Sequence, residues 1–545
     1  MAPKNRNRRP LPPKADSAFD LRSSRMIPSL GLAAAALLLV AVVAAVFFHP
    51  APSRQLDNRS DKAGAPPGET EHWQPEEQAK AYARYAGSKS CRECHQDQFG
   101  LWLGSDHQLA ERLPGPKMDA EAFNPHRELK QPHRTSSMYT EGGLFHFATQ
   151  GASGKQDIFE VERVIGETPI RQYLVKFPRG LLQAVDLSHD PHKDEWFNVF
   201  GDEDRQPGEW GHWTGRGMNW NTQCASCHNT RLRKNYDEAT DSYRTTMAER
   251  SVSCEACHGP MKAHVEWRKQ HAGGTDKDPT VRKLDNAQWL AACGACHSRR
   301  TELTGDFKPG DRYLDHFSHV IPDESNIYYA DGQVLGENYV LTSFLSSKMY
   351  HAGVRCMDCH EPHSAKILQP GNALCMRCHT GTYPNSPKID PPTHTHHKLN
   401  GEGGQCVNCH MPQTTYMQRD PRRDHGFTIP DPLLTKEHGI PNACNRCHAD
   451  KDTDWALAAV EKWYGPRMDR PTRKRAQTIA EAREGATGSR DNLLQLLREE
   501  KTPFWRAVAA ELIYPWAYDP EITSQLLGNL SHTNALLRGT SARAL

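Results

Sequence analysis

Cys224-Ala-Ser-Cys227-His228, Cys254-Glu-Ala-Cys257-His258, Cys293-Gly-Ala-Cys296-His297, Cys356-Met-Asp-Cys359-His360, Cys375-Met-Arg-Cys378-His379, Cys406-Val-Asn-Cys409-His410 and Cys444-Asn-Arg-Cys447-His448 follow one another through the middle of the chain. An eighth copy, Cys91-Arg-Glu-Cys94-His95, stands alone upstream. Every copy reads C-x-x-C-H, and the eight copies use all 16 cysteines of the sequence. A bare C-x-x-C pair would serve zinc or a disulfide framework, but neither chemistry asks for a His directly after each pair. With 29 His among 545 residues, chance puts one after a given pair about one time in twenty, yet it follows all eight. The pattern is that of covalent haem c. The two thiols form thioethers with the haem vinyl groups, and the adjacent His reaches the iron as proximal ligand. The sequence therefore predicts eight covalently attached haem c groups.

Working outward, the remaining 21 His exceed the number needed for a second axial ligand on every iron. A second His closes the coordination sphere, whereas Met raises the potential. His264 in His258-Gly-Pro-Met-Lys-Ala-His264 and His363 in His360-Glu-Pro-His363 lie just past a Pro that biases the chain toward a turn. Both are read as distal ligands, as is His425 in Arg422-Arg-Asp-His425. The stretch Thr393-His-Thr-His396-His397 offers one more ligand, His397 or His396 ahead of His394. His107 lies twelve residues beyond His95, about three turns if helical, and completes the candidate set. His316 and His319 together offer one further ligand, and His212, His351 and His438 each precede a motif. Met411 follows His410 directly and faces away from that iron. Arg299, Arg300, Arg422, Arg423, Trp210, Trp213 and Trp220 suit pairing with propionates and stacking on macrocycles.

The chain divides by composition. Residues 1–26 are basic and Pro-rich, a cytoplasmic segment. Residues 27–48 carry no charge and are long enough to span a bilayer. With the basic flank inside, they predict a signal anchor in the cytoplasmic membrane and a haem domain in the periplasm. A cleaved signal peptide is the competing reading. Residues 49–80 form a Pro/Gly-punctuated linker. Residues 81–451 form the octahaem domain, with 137–200 as a β-rich insert in which Leu144–Thr149, Ile158–Ile165 and Gln172–Phe177 show strand-like patterning. Residues 452–545 read as helical repeats with Arg506 and Arg538 in matching frames, a HEAT-like pattern that offers a docking face to a redox partner. Net charge of +1 excludes a nucleic-acid footprint. Only 37% of residues are hydrophobic, so much of the core is expected to be cofactor.

The frames Cys254-Glu-Ala-Cys-His-Gly-Pro, Cys356-Met-Asp-Cys-His-Glu-Pro-His with Cys375-Met-Arg-Cys-His, and Cys409-His-Met-Pro through Tyr416-Met to Asp420-Pro-Arg-Arg-Asp-His425 resemble the multihaem cytochromes c with a doubled C-x-x-C-H motif. Many members of that family carry C-terminal helical repeats. Its wider superfamily includes hydroxylamine oxidoreductase and the octahaem nitrite and tetrathionate reductases. The resemblance implies electron transfer with a possible catalytic haem, although no C-x-x-C-K variant occurs here. The fold expected is mainly α with extensive loops, a small antiparallel β insert and C-terminal helical repeats. The function expected is a membrane-anchored periplasmic octahaem electron carrier. The alternative is an oxidoreductase acting on nitrite, hydroxylamine or tetrathionate at one open haem.

Overall fold

Strand-forming segments between Glu111 and Asn198 build one antiparallel sheet of eight strands: β1 (Glu111–Arg112), β2 (Arg127–Lys130), β3 (Thr135–Glu141), β4 (Leu144–Gln150), β5 (Gln156–Ile165), β6 (Arg171–Lys176), β7 (Leu182–Asp190) and β8 (Glu195–Asn198). A computed structural model of the chain describes residues 76–545, save 338, 384 and 385. Strands β2 to β8 pair in sequence order, and β1 adds to β5 with Glu111 opposite Ile165. Along β4 the inward residues Phe145, Phe147 and Thr149 alternate with partly exposed ones, as period-two geometry requires. Irregularities at Val161/Arg163 and at Gln172/Leu174 interrupt the register; such bulges add twist and curl a sheet toward closure.

The sheet encloses an aromatic core. Phe123 meets Phe147, Tyr173 and Trp196 edge to face at 5.2–5.6 Å, the arrangement that ring quadrupoles favour. This corrects the expectation of a mainly α chain with a small β insert: the sheet approaches a barrel, and the architecture is mixed α and β. The cause is physical. Strand β7 is buried along its whole length and lacks alternation, while β1 and β2 are short and polar. Of these, β1 is also paired at a distance in sequence, with Glu111 opposite Ile165.

The outer face of β7 carries the motif Cys224–His228. Leu174, Leu182, Ala184, Trp220 and Ala225 form one buried cluster there. Glu111 on β1 pins it: its fully buried carboxylate accepts from Arg163 Nη1 at 2.8 Å, Trp220 Nε1 at 2.7 Å and Asn229 Nδ2 at 2.7 Å. Glu111→Gln leaves the Arg163 charge unneutralised and is expected to cost about 3 kcal/mol, read as a lowered thermal midpoint of the haem-loaded protein. An unchanged midpoint would show that the pin is dispensable.

Beyond the sheet, short helices and two-stranded ribbons carry the other motifs; one ribbon pairs Gln413–Tyr416 with Asp420–Arg423. Six helices end the chain: α1 (Thr453–Tyr464), α2 (Pro471–Glu484), α3 (Ser489–Glu499), α4 (Pro503–Leu512), α5 (Pro520–Asn529) and α6 (Ala535–Ala544). Helix α4 is buried at Phe504, Trp505, Ala507, Val508, Ala509 and Ala510. Ala507 and Ala510 pack with α3, α5 and α6, whereas Phe504 and Trp505 join Ile321, Ala330, Leu434 and Ile440 of the motif-bearing region in one cluster. The terminal helices therefore share a core with the motif-bearing part.

The anchor expected at 27–48 lies outside the described residues. Among the described residues no helix is long and apolar enough to cross a membrane. The described residues give no support to the single N-terminal anchor or to the localisation built on it.

Candidate haem sites

Each C-x-x-C-H closes one helical turn. The His95 amide donates to the Cys91 carbonyl at 2.9 Å, and His297, His360 and His448 repeat the bond to Cys293, Cys356 and Cys444 at 2.9 Å. A spacing of i, i+3 and i+4 sets both thiols and the imidazole on one face of that turn. All 16 cysteines are free of disulfides. Among the described residues no group of three or more His, Cys, Asp or Glu is placed to hold a metal ion, so the pairs do not converge into zinc sites.

What converges on the motif histidines is a second set of histidines. Ring centroids lie 6.2 Å apart for His95 and His264, 6.2 Å for His107 and His297, and 6.4 Å for His258 and His363. They lie 6.3 Å apart for His360 and His425, 6.0 Å for His394 and His410, and 6.3 Å for His397 and His448. Two imidazoles on opposite sides of one metal, at bonds of roughly 2 Å with about 1.1 Å more to each ring centre, give a separation of about 6.2 Å. The residues present thus fit six haems with two His ligands each. A cavity of about 2650 Å³, lined by residues of seven motifs, runs between them; a single small-molecule pocket holds roughly 300–1,000 Å³.

The outer ring nitrogens are held. His264 Nδ1 lies 2.6 Å from Asp278 Oδ2 and His363 Nδ1 lies 2.8 Å from Glu361 Oε1. His425 Nδ1 bonds the Arg423 carbonyl at 2.9 Å, and His410 Nδ1 bonds that of Thr428 at 2.7 Å. Such partners select the tautomer that turns Nε2 toward the metal. Burial pushes His297 and His425 down to about 4, which keeps both imidazoles in the neutral ligand form at neutral pH.

The motifs also touch one another. Thiols of Cys91 and Cys254 interact, as do Cys293 with Cys356, Cys375 with Cys406, and Cys227 with Cys296. Cys257 lies near Cys293 and Cys296, Cys359 near Cys378, and Cys409 near Cys444 and Cys447.

Residues 350–383 match the model of the doubled CXXCH motif, and residues 207–259 match that of cytochrome c554 and c-prime. The chain is a multihaem c-type cytochrome. Haem c is held covalently through its C-x-x-C-H motifs. Over 240 residues the cytochrome is 25% identical to the multiheme cytochrome MtrA of Shewanella baltica (strain OS185), covering 42% of this chain and 52% of that protein. It thus spans about half the length of that curated relative. Among solved structures it is similar to the outer cell wall cytochrome OcwA, with a TM-score of 0.47, 16% identity and coverage of 85% of this chain and 99% of that one. It is also similar to the octaheme sulfite reductase MccA of Wolinella succinogenes, with a TM-score of 0.33, 13% identity and coverage of 85% and 82%.

Of the histidines singled out from the sequence of the cytochrome, His107, His264, His363, His397 and His425 each face a motif His. The stretch 394–397 supplies two such rings where one was expected. The helix Pro391–Thr395 ends at His396 in a left-handed conformation, φ 55°, and that turn sends His394 and His397 to different motifs while His396 stacks on Trp463 at 4.5 Å. The remaining five face other groups: His316 bonds Thr304 Oγ1 at 2.6 Å, His212 bonds Thr214 Oγ1 at 2.8 Å, His351 packs on Tyr350, His438 lies 3.7 Å from Glu484, and His319 sits between Tyr313 and Thr342. His228 and His379 face no other histidine ring among the described residues. Glu337 and Tyr339, which line the same cavity, carry no motif signal at all.

His319 is buried between Tyr313 Oη at 3.2 Å and Thr342 Oγ1 at 3.1 Å, and burial lowers it to about 4. The unfolded imidazole binds its proton below about 6.5 while the folded one stays neutral until about 4, so stability falls as pH falls through that window. The expected loss is about 3 kcal/mol. His319→Gln should flatten this part of a pH–stability curve measured by chemical denaturation; a parallel curve would refute the assignment.

Proposed function

We propose that the cytochrome carries eight haem c groups and moves electrons along them as one continuous path. The observation that carries this reading is the unbroken series of contacts between motifs. It runs from Cys91–His95 to Cys254–His258, on to Cys293–His297, Cys356–His360, Cys375–His379 and Cys406–His410, and ends at Cys444–His448. Six of the eight motif histidines face a second histidine, and such ligation closes the iron to exogenous ligands and leaves it to exchange electrons. The test is a haem count on the purified protein, followed by addition of less than one electron per chain. Eight haems per chain that equilibrate the electron among themselves support the reading. A count well below eight, or haems that hold electrons in isolation, would reject it.

A second reading, an oxidoreductase acting on a small nitrogen or sulfur compound, is favoured by one specific observation. His228 faces no second imidazole and its motif is attached to the series at the side, through Cys227 and Cys296.

A further inference from the structure

Arg300 stands where two haem attachment motifs meet. It opens the short strand Arg300–Glu302 just after His297, opposite His319 of the strand Phe317–His319. Its side chain reaches in two directions. Nε donates to the carbonyl of Ala295, inside Cys293–His297, at 2.7 Å. Nη2 lies 3.9 Å from Sγ of Cys227, in Cys224–His228. The guanidinium carbon sits over the buried ring of Phe317 at 4.0 Å. Such stacking combined with forked donation is open to arginine and closed to lysine.

Protein carboxylates do not neutralise this cation. Glu302, two residues on and so on the same face of the strand, is paired with Lys234. Among the described residues no carboxylate pairs with Arg300. The propionates of the haem carried by Cys227 do not reach it either, because thioethers and propionates occupy opposite edges of the macrocycle. Arg300 thus departs from the propionate pairing expected of it from sequence. Cys227 Sγ becomes a thioether on haem attachment, so a permanent cation lies 3.9 Å from an atom bonded to the macrocycle.

We propose that Arg300 raises the reduction potential of the haem held by Cys224–His228 and makes that side haem the preferred resting place for an electron moving along the series. Reduction removes one positive charge from the iron, so a fixed cation beside the haem favours the reduced form. The electron comes from the haem at Cys293–His297, which is oxidised as the side haem is reduced. A unit charge at about 10 Å in a partly buried site shifts an equilibrium by about tenfold. For a one-electron couple that is about 59 mV. The proposal rests on the reading of Cys224–His228 as one haem of the continuous path.

The test is a potentiometric titration of the haem-loaded full chain, followed optically and by electron paramagnetic resonance, in wild type, Arg300→Gln, Arg300→Met and Arg300→Lys. Each neutral variant is expected to lower one midpoint by about 59 mV, a tenfold shift, with the haem count and the other midpoints unchanged. Arg300→Lys keeps the cation and should retain most of the wild-type value. Midpoints that stay in place in both neutral variants overturn the proposal. So does a lysine variant that falls as far as the glutamine variant, since charge is then not the cause. A fall shared equally by all haems, or loss of one haem from both neutral variants, assigns Arg300 to folding or haem attachment and overturns it as well. The carrier reading is judged by haem count and electron equilibration, so it stands if only the midpoints fail to move.

Discussion

His264→Ala is expected to give one new high-spin ferric signal per molecule and one additional cyanide-binding site, with the other haems unaltered. His363→Ala should do the same at a different haem. His264 faces His95 at 6.2 Å and His363 faces His258 at 6.4 Å, so each substitution removes one of two imidazoles and leaves the proximal one in place. Methionine at position 264 should instead retain a low-spin iron of raised potential, because a thioether ligand stabilises the reduced state. Asp278→Ala is the milder probe. Asp278 holds His264 Nδ1 at 2.6 Å, and loss of such a partner costs about 10–100-fold in metal affinity or activity, here read as easier displacement of His264 by cyanide. Unchanged spectra in both alanine variants would show that these rings do not ligate.

Trp505→Ala should cost about 3–5 kcal/mol, and truncation after residue 452 should lower haem incorporation well below that of the full chain. Trp505 is 1% exposed and lies in the cluster that also contains Ile321, Ala330, Leu434 and Ile440. Its Nε1 donates to the Ser346 carbonyl at 3.2 Å, and Arg475 stacks on its ring at 4.1 Å. It also packs over Gly332, φ +92°, where an added Cβ would come within 2.9 Å of the indole. Removing α1 to α6 would expose this surface beside the motifs at 356–448. Full haem loading by the truncated protein would show that the terminal helices are dispensable to the array.

The haem attachment sites were legible from sequence because thioether and proximal bonds fall within five consecutive residues, where spacing along one helical turn determines geometry. The histidines that face the motif histidines were legible only in part. His264 and His363 stand just past a Pro turn, and that local signal was sufficient to single them out. Which motif histidine each faces was not, since His264 faces His95 and His107 faces His297 across long stretches of chain. His394 ranked behind its neighbours because the left-handed turn at His396 leaves no mark in composition. The sheet is underestimated from sequence for a related reason: β7 is buried on both faces and loses the period-two alternation that announces a strand, and β1 pairs with β5 some fifty residues on. Cofactor chemistry and the number of attachment motifs were therefore determined by sequence alone, through short-range covalent spacing. The pairing of histidines across the array and the near-barrel that seats Cys224–His228 were decided only by tertiary structure, because each depends on packing between segments that short-range spacing does not fix.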